Sequence, residues 1–145
     1  MASTYQIKVH WYDERMVFDR IPVATASVIA YGDLVTVESN SLALLDSADD
    51  DQYFCGIALG ASASGETATI PVAMGDVVGE GFMASAAYRF GAGIKYEDTS
   101  DNGELVADGS ANTIGFVVSD NSSSTTSAKI RFNAFELGKY FTVSA

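Results

Sequence analysis

Hydrophobic and polar residues alternate along much of this chain with a period of two, which predicts β-strands. One pattern occurs twice, as FCGIALGASASGETATIPV at 54–72 and as IGFVVSDNSSSTTSAKIRF at 114–132. Each copy has an apolar strand that begins at a glycine, a tip of small polar residues, and a second strand that alternates. A polar tip between two such strands is typical of a β-hairpin. The sequence therefore predicts two hairpins.

Shorter apolar runs between turn residues add further strands. These are predicted at 28–31, 34–37, 42–45, 77–82, 94–96 and 105–106. Gly79-x-Gly81 and Gly91-x-Gly93 are interpreted as turns, and 83–90 is predicted to form one short helical turn. The short intervals between turns are typical of a sandwich or barrel and not of alternating β and α elements. The predicted fold class is all-β, with a small barrel-like body.

The first 22 residues differ from the rest and are predicted to form an extended N-terminal arm that contains a strand. One face of this strand carries Tyr5, Ile7, Val9 and Trp11, and the other carries Gln6, Lys8, His10 and Tyr12. Pro22 argues against a continuing helix and against a central strand. The domain prediction is an arm over 1–22 and a β-barrel-like body over 23–145. The alternative is that the arm is simply the first strand of the body.

The arm is also the strongest candidate for a binding surface. Trp and Tyr are good interface anchors because they bury much area at little cost in entropy. The candidate contact residues are Tyr5, Ile7, Val9, Trp11, Met16 and Phe18. Residues 1–22 have no net charge, whereas the whole chain carries −11, and this contrast favours docking. The alternative is that this segment is an ordinary core strand.

Charge and cysteine content exclude several functions. An acidic body repels phosphate backbones, so we expect no binding to nucleic acid. No apolar run approaches the roughly 18 residues of a membrane span, and the N-terminus lacks the apolar segment of a signal peptide. We therefore expect a protein made in a cytoplasm, with no membrane partner. The single cysteine, Cys55, cannot form an intrachain disulfide.

No constellation of residues in the sequence predicts catalysis or a cofactor. His10 is the only histidine, and it lies away from any nucleophile motif, so a structural role is expected. Cys55 is predicted to be a buried, inert thiol. The loop DSADDD at 46–51 lacks the ligand spacing of a calcium loop. The acidic pairs in 97–104 lie among Ser, Asn and Gly and are interpreted as a solvated loop. We expect no enzyme, no metal and no cofactor.

The region from about 31 to 132 resembles the tailed-phage capsid decoration family, also called cement or head-stabilising proteins. The shared features are GDLV at 32–35, GIA at 56–58, GE at 65–66, GAGIKYED at 91–98 and IGF at 114–116. Each motif is common, and their order and spacing carry the resemblance. The arm and the Asp-rich loop match no motif of the family.

The resemblance implies a non-enzymatic protein with a small β-barrel or β-tulip body on the outer capsid surface of a virion. It further implies a homotrimer whose partner is the major capsid protein, with contacts between capsid subunits stabilised by this protein. The alternative is a head-fibre or tail-associated β-module that binds a receptor or glycan. A small hydrolase is disfavoured because the chain has one histidine and no triad or metal spacing.

Overall fold

The computed structural model describes residues 6–25, 27–38, 40–45, 54–97, 104–107, 113–121 and 123–133. Within these ranges the chain is all-β, as predicted. The strands are β1 (Lys8–Tyr12), β2 (Val17–Phe18), β3 (Leu34–Glu38), β4 (Ser41–Leu44), β5 (Gly56–Ala58), β6 (Val72–Ala73), β7 (Asp76–Ala86), β8 (Gly93–Glu97), β9 (Glu104–Ala107), β10 (Gly115–Val117) and β11 (Thr125–Asn133). A single 3-10 turn, Glu14–Met16, separates β1 from β2.

These strands form two sheets. The larger has six strands in the order β1-β7-β11-β10-β8-β9, and the smaller has five in the order β2-β6-β5-β3-β4. Strand β9 also pairs in parallel with β7 at Met83 and Leu105, so the larger sheet curls back on itself. The described strands are barrel-like in this curl but are not closed into one barrel.

The central part of the smaller sheet is buried on both faces, which explains the largely apolar runs of strands β3, β5 and β6. Leu34, Ile57 and Ala73 contribute to the core shared with the larger sheet. Their neighbours along the strands, Val35, Ala58 and Val72, contribute to a second core. Isolated bridges between Pro22 and Thr69 and between Ile29 and Ser62 join the segments outside the strands. Adjacent residues of one strand, such as Leu34 and Val35, therefore point into two different cores.

Both predicted hairpins are confirmed, although their strands differ in length. In the second, β10 pairs with β11 in antiparallel register, with Phe116 opposite Arg131. In the first, β5 pairs with β6 through Ile57 and Ala73. There the return strand covers only Val72–Ala73. Most of the residues from 61 to 69 are exposed, and their strand-like pairing is limited to isolated bridges at Ser62 and Thr69.

Two local predictions between 79 and 90 are wrong. The predicted helical turn is largely strand, because β7 continues to Ala86 and pairs there with Thr125 of β11. Gly79 is not a turn residue but lies inside β7. A Cβ atom at Gly79 would meet Ile7 Cγ2 at 2.5 Å, so this glycine makes room for Ile7. The turn predicted at Gly91 is confirmed, with a φ of +85°.

The described part of the predicted arm is extended but is paired with the body. Strand β1 pairs with β7 at the edge of the larger sheet, and β2 pairs with β6 at the edge of the smaller one. Ile7 lies in the shared core and is 2% exposed. Residues 6–18 therefore contribute edge strands to the body, which agrees with the alternative that the arm is part of the body. The domain division at 22 stays a prediction.

Some predicted features lie outside the described residues. They are Tyr5, the acidic loop 46–51 and the stretch 98–103.

Candidate functional site

A row of side chains crosses the outer face of the larger sheet. Trp11 in β1 is opposite Val78 in β7, Val78 is opposite Arg131 in β11, and Arg131 is opposite Phe116 in β10. Directly opposite residues in antiparallel strands point to the same face. At about 4.8 Å between neighbouring strands, the row spans about 14 Å from Trp11 to Phe116.

The row has the composition of a protein interface. Trp11 is 55% exposed and Phe116 is 44% exposed. The guanidinium of Arg131, between them in the row, donates from Nε to Asp76 Oδ1 at 2.6 Å. This ion pair holds the long side chain in one orientation. Trp and Arg, which both occur in this row, are among the residues most enriched at binding hot spots.

A β-bulge accounts for the exposure of Trp11. The register between β1 and β7 shifts between Val9 and Trp11, so that His10 is the extra residue. A bulge of this kind reverses the faces of the residues that follow it. Val9 and Tyr12 consequently pack against the core, and Trp11 points outward. The predicted single face of Ile7, Val9 and Trp11 is therefore wrong beyond Val9, because strict alternation does not anticipate a bulge.

Next to Trp11, an open groove runs along the free edge of β1. We call it the edge groove. Its volume is about 620 Å³, and it is lined by Val9, His10, Trp11, Tyr12, Asp13, Glu14, Arg15 and Tyr31. Tyr31 is 49% exposed, so the groove combines two exposed aromatic side chains.

A fixed pair of charges lies among the groove residues. Arg15 donates from Nε and Nη2 to the two carboxylate oxygens of Asp13, each at 3.0 Å. The backbone amide of Arg15 also donates to Asp13 Oδ1, which caps the 3-10 turn. The side-chain hydrogen bond from Arg15 is the main reason that the pKa of Asp13 is lowered. Both groups are therefore charged at neutral pH.

The turn at Gly32-Asp33 positions Tyr31 beside β1. Gly32 accepts a hydrogen bond from Ile7 N at 2.8 Å, and its own amide donates to the Ala58 carbonyl at 2.8 Å. The fully buried Asp33 carboxylate accepts from Gln6 Nε2 at 3.1 Å and from Ala30 N at 2.8 Å. Burial raises the pKa of Asp33 against the opposing effect of these hydrogen bonds. This turn therefore joins β1 to the smaller sheet.

The structure separates the six residues predicted to form a binding face. Ile7 and Val9 belong to the core or pack against it, and Met16 lies against Gly75. Phe18 is 40% exposed, but on the smaller sheet. Among the six, only Trp11 lies both in the row and in the edge groove. Tyr5 lies outside the described residues.

The sequence prediction missed Tyr31, Phe116 and Arg131 as surface partners of Trp11. A signal existed for Arg131, since it alternates with Ile130 and Phe132, both fully buried. No comparable signal existed for Phe116 or Tyr31. Their proximity to Trp11 depends on strand order and on the path of the turn, which local patterns do not encode.

The residues considered for chemistry have structural surroundings. His10 Nε2 lies 3.3 Å from Glu80 Oε1 on the exposed sheet face. Cys55 is fully buried, and burial raises the pKa of its thiol to about 12, which confirms the predicted buried thiol. The described residues contain no group of three or more His, Cys, Asp or Glu that could hold a metal ion. In this part of the chain, no helix is long and apolar enough to cross a membrane.

Comparison with known proteins identifies a family. Searches of curated proteins and of solved structures found nothing similar to this chain. The family model of the phage cement proteins matches residues 17–132, which runs from the start of β2 to Phe132 in β11. Strand β1, with Trp11, lies before the matched region. Because the match covers well over half of the 145 residues, the chain belongs to the phage cement protein family.

Proposed function

We propose that this protein binds the outer surface of a phage head and stabilises contacts between major capsid protein subunits, without catalysis. Family membership supports a capsid cement role. The observation that carries the binding site is the exposure of Trp11 beside Tyr31 at the free edge of β1. Exposed aromatic side chains at the edge of a sheet offer a partner apolar area.

In this proposal, five of the six predicted contact residues have distinct parts. Trp11 is the principal anchor on the major capsid protein, and Phe18 is a second exposed contact on the smaller sheet. Ile7, Val9 and Met16 hold the N-terminal segment on the body, so that the anchors are fixed before binding. Fixing a contact residue in advance lowers the entropy lost on association.

The acidic body suits a protein placed in many copies on one particle. A net charge of −11 on 145 residues keeps single copies soluble. The same charge opposes close neighbours, so we expect apolar contacts with the head to hold the copies in place against this repulsion. We expect homotrimers on the head, as the resemblance to decoration proteins implies.

Binding to heads assembled without this protein tests the proposal. The wild-type protein should co-sediment with such heads and raise the temperature at which they release their genome. Trp11→Ala should weaken binding by about 30-fold or more if Trp11 is a buried anchor. Arg20→Ala is the control, because Arg20 is also a large exposed side chain of the N-terminal segment but does not line the groove. Wild-type protein that fails to bind or to stabilise the heads contradicts the proposal.

The alternative of a head-fibre or tail-associated module differs in copy number. Quantifying this protein against the major capsid protein in purified particles separates the two. A cement protein should be present at a ratio close to that of the capsid subunits, whereas a fibre or tail module should be present in only a few copies.

A further inference from the structure

The two parts of the chain that lie outside the family match come together at Asp76. The match covers 17–132, so it excludes the segment with β1 and the residues after β11. Asp13, directly after β1, donates from its amide to the Asp76 carbonyl at 3.0 Å. Asn133, the last residue of β11, is opposite Asp76 in the sheet register. The chain therefore leaves β11 beside the place where β1 ends.

The residues that follow β11 are long enough to reach the edge groove. We call 134–145 the C-terminal segment; it lies outside the described residues. Only β7 lies between β11 and β1, so two strand spacings, about 10 Å, separate these strands. Fully extended, a segment of this length spans about 40 Å, and about four residues are enough to cross to the groove. The rest of the segment can then lie along the groove.

The edge groove combines aromatic side chains with an exposed carboxylate. Trp11 and Tyr31 are 55% and 49% exposed. The charges of Asp13 and Arg15 pair with each other. Glu14, between them in sequence, is exposed, and no cation among the described residues lies within ion-pair distance of it. The groove therefore fits a ligand that carries aromatic side chains next to a positive charge.

The C-terminal segment has this chemistry. Its sequence is AFELGKYFTVSA, in which Lys139 is the only basic residue. Lys139 is followed directly by Tyr140 and Phe141. The charge of Glu136 cancels that of Lys139, so the acidic body does not repel the segment as a whole. The segment thus matches the groove in apolar character and in charge.

We propose that the C-terminal segment binds in the edge groove of its own chain. Lys139 pairs with Glu14, and the aromatic side chains at 140 and 141 pack beside Trp11. Attachment to the same chain gives the segment an effective concentration of about millimolar, so individually weak contacts are enough to hold it.

This inference rests on the proposed function, because the segment becomes part of the surface that meets the head. It covers the side of Trp11 that lines the groove and leaves the side in the row exposed for the major capsid protein. A contact on one side of the indole ring limits the orientations of the anchor before binding. Such fixing lowers the entropy lost on association.

Acrylamide quenching of Trp11 in the free protein tests the contact, since Trp11 is the only tryptophan. Tyr140→Ser with Phe141→Ser removes the aromatic side chains of the segment and should raise the quenching. Phe90→Ser is the matched control, because Phe90 is 71% exposed but does not line the groove, and it should leave the quenching at the wild-type value. Thermal unfolding confirms that each variant is folded.

A charge exchange tests the position of the segment. Lys139→Glu places a negative charge beside Glu14, so it should raise the ratio of open to covered groove by about 5-fold and raise the quenching. Glu14→Lys in the same chain restores opposite charges and should return the quenching to the wild-type value. Arg20→Glu is the control, since it changes the net charge equally at an exposed position outside the groove.

The quenching of the wild type should be the same at low and high protein concentration. A dependence on concentration overturns the proposal, because the segment would then bind a second copy. Quenching of the folded double serine variant at the wild-type value overturns it too, as does an effect of Lys139→Glu that Glu14→Lys does not reverse. The charge variants decide alone if the double serine variant does not fold. No heads are present in these measurements, so failure of wild-type protein to bind heads is a separate result.

Discussion

The amide of Ile7 donates a 2.8 Å hydrogen bond to the carbonyl of Gly32, which joins the start of β1 to the turn before β3. Gly32 has a φ of +92°, and a Cβ atom there would lie 2.3 Å from the Ile7 carbonyl oxygen. Position 32 therefore requires glycine, because the backbone of Ile7 occupies the space that a side chain there would need.

Gly32→Ala should destabilise the fold more than the replacement of an ordinary glycine in the left-handed region. The left-handed backbone alone costs about 1–2 kcal/mol for a residue with a Cβ atom, and the clash with Ile7 adds to it. Gly65→Ala is the matched control, since Gly65 has a φ of +88° and nothing within 4 Å of its Cβ position. Urea unfolding measures both variants. Equal losses of stability would contradict this account of the turn.

Asp33 should make stability depend on pH. Burial raises the pKa of its carboxyl group in the folded state above the ordinary range for an aspartate, so between the unfolded and folded pKa values the folded protein holds a proton that the unfolded chain releases. The stability from this group is complete below the unfolded pKa and is lost as pH rises through the folded one. Asp33→Asn removes this titration, so its stability relative to wild type should be higher at pH 7 than at pH 4. Urea unfolding at the two pH values measures this, and a difference that does not change with pH contradicts it.

Cys55 should react slowly with thiol reagents in the folded protein. Its side chain is fully buried and its pKa is raised to about 12, so almost no thiolate forms at neutral pH and reagents have no access. Labelling with a chromogenic disulfide at pH 8 should be slow in buffer and fast in denaturant. Fast labelling of the native protein would show that the core around Cys55 opens readily.

Ile7 and Trp11 should separate stability from binding within one short segment. Ile7→Ala removes a 2% exposed core side chain and should cost about 2–4 kcal/mol of stability. Trp11→Ala removes a 55% exposed side chain and should change stability by about 0.5 kcal/mol or less. Thermal unfolding of both variants, beside wild type, measures the difference. A large loss of stability in Trp11→Ala would place this side chain in the fold and not in a binding site.

Much of the fold is predictable from local sequence. The apolar run 34–37 corresponds to strand β3, because burial on both faces of a sheet favours consecutive apolar residues. The alternation around Ile130 corresponds to strand β11, because burial on one face gives a period of two. In the stretch 83–86, Ala and Met favour a helix, whereas pairing with β11 keeps these residues extended. Local propensity gives way there to a partner strand that is distant in sequence.

The candidate site was less predictable than the fold. The aromatic residues of the N-terminal segment were identified, but the bulge at His10 moved Trp11 to the opposite face from Val9. Tyr31 and Phe116 join the same surface only through the turn at Gly32 and the order of strands β1, β7, β11 and β10. Such long-range relationships have no local signature in a single sequence.

Trp11 is the only tryptophan in the chain, so its fluorescence tests the central claim most directly. Replacing it with 5-hydroxytryptophan during expression allows it to be excited apart from the tryptophans of the capsid. On addition of heads that lack this protein, we expect the emission to shift to shorter wavelength and acrylamide quenching to fall, since Trp11 becomes buried against the major capsid protein. Heads already saturated with unlabelled protein should cause neither change. Co-sedimentation with heads while quenching of Trp11 stays at its free value would contradict the account.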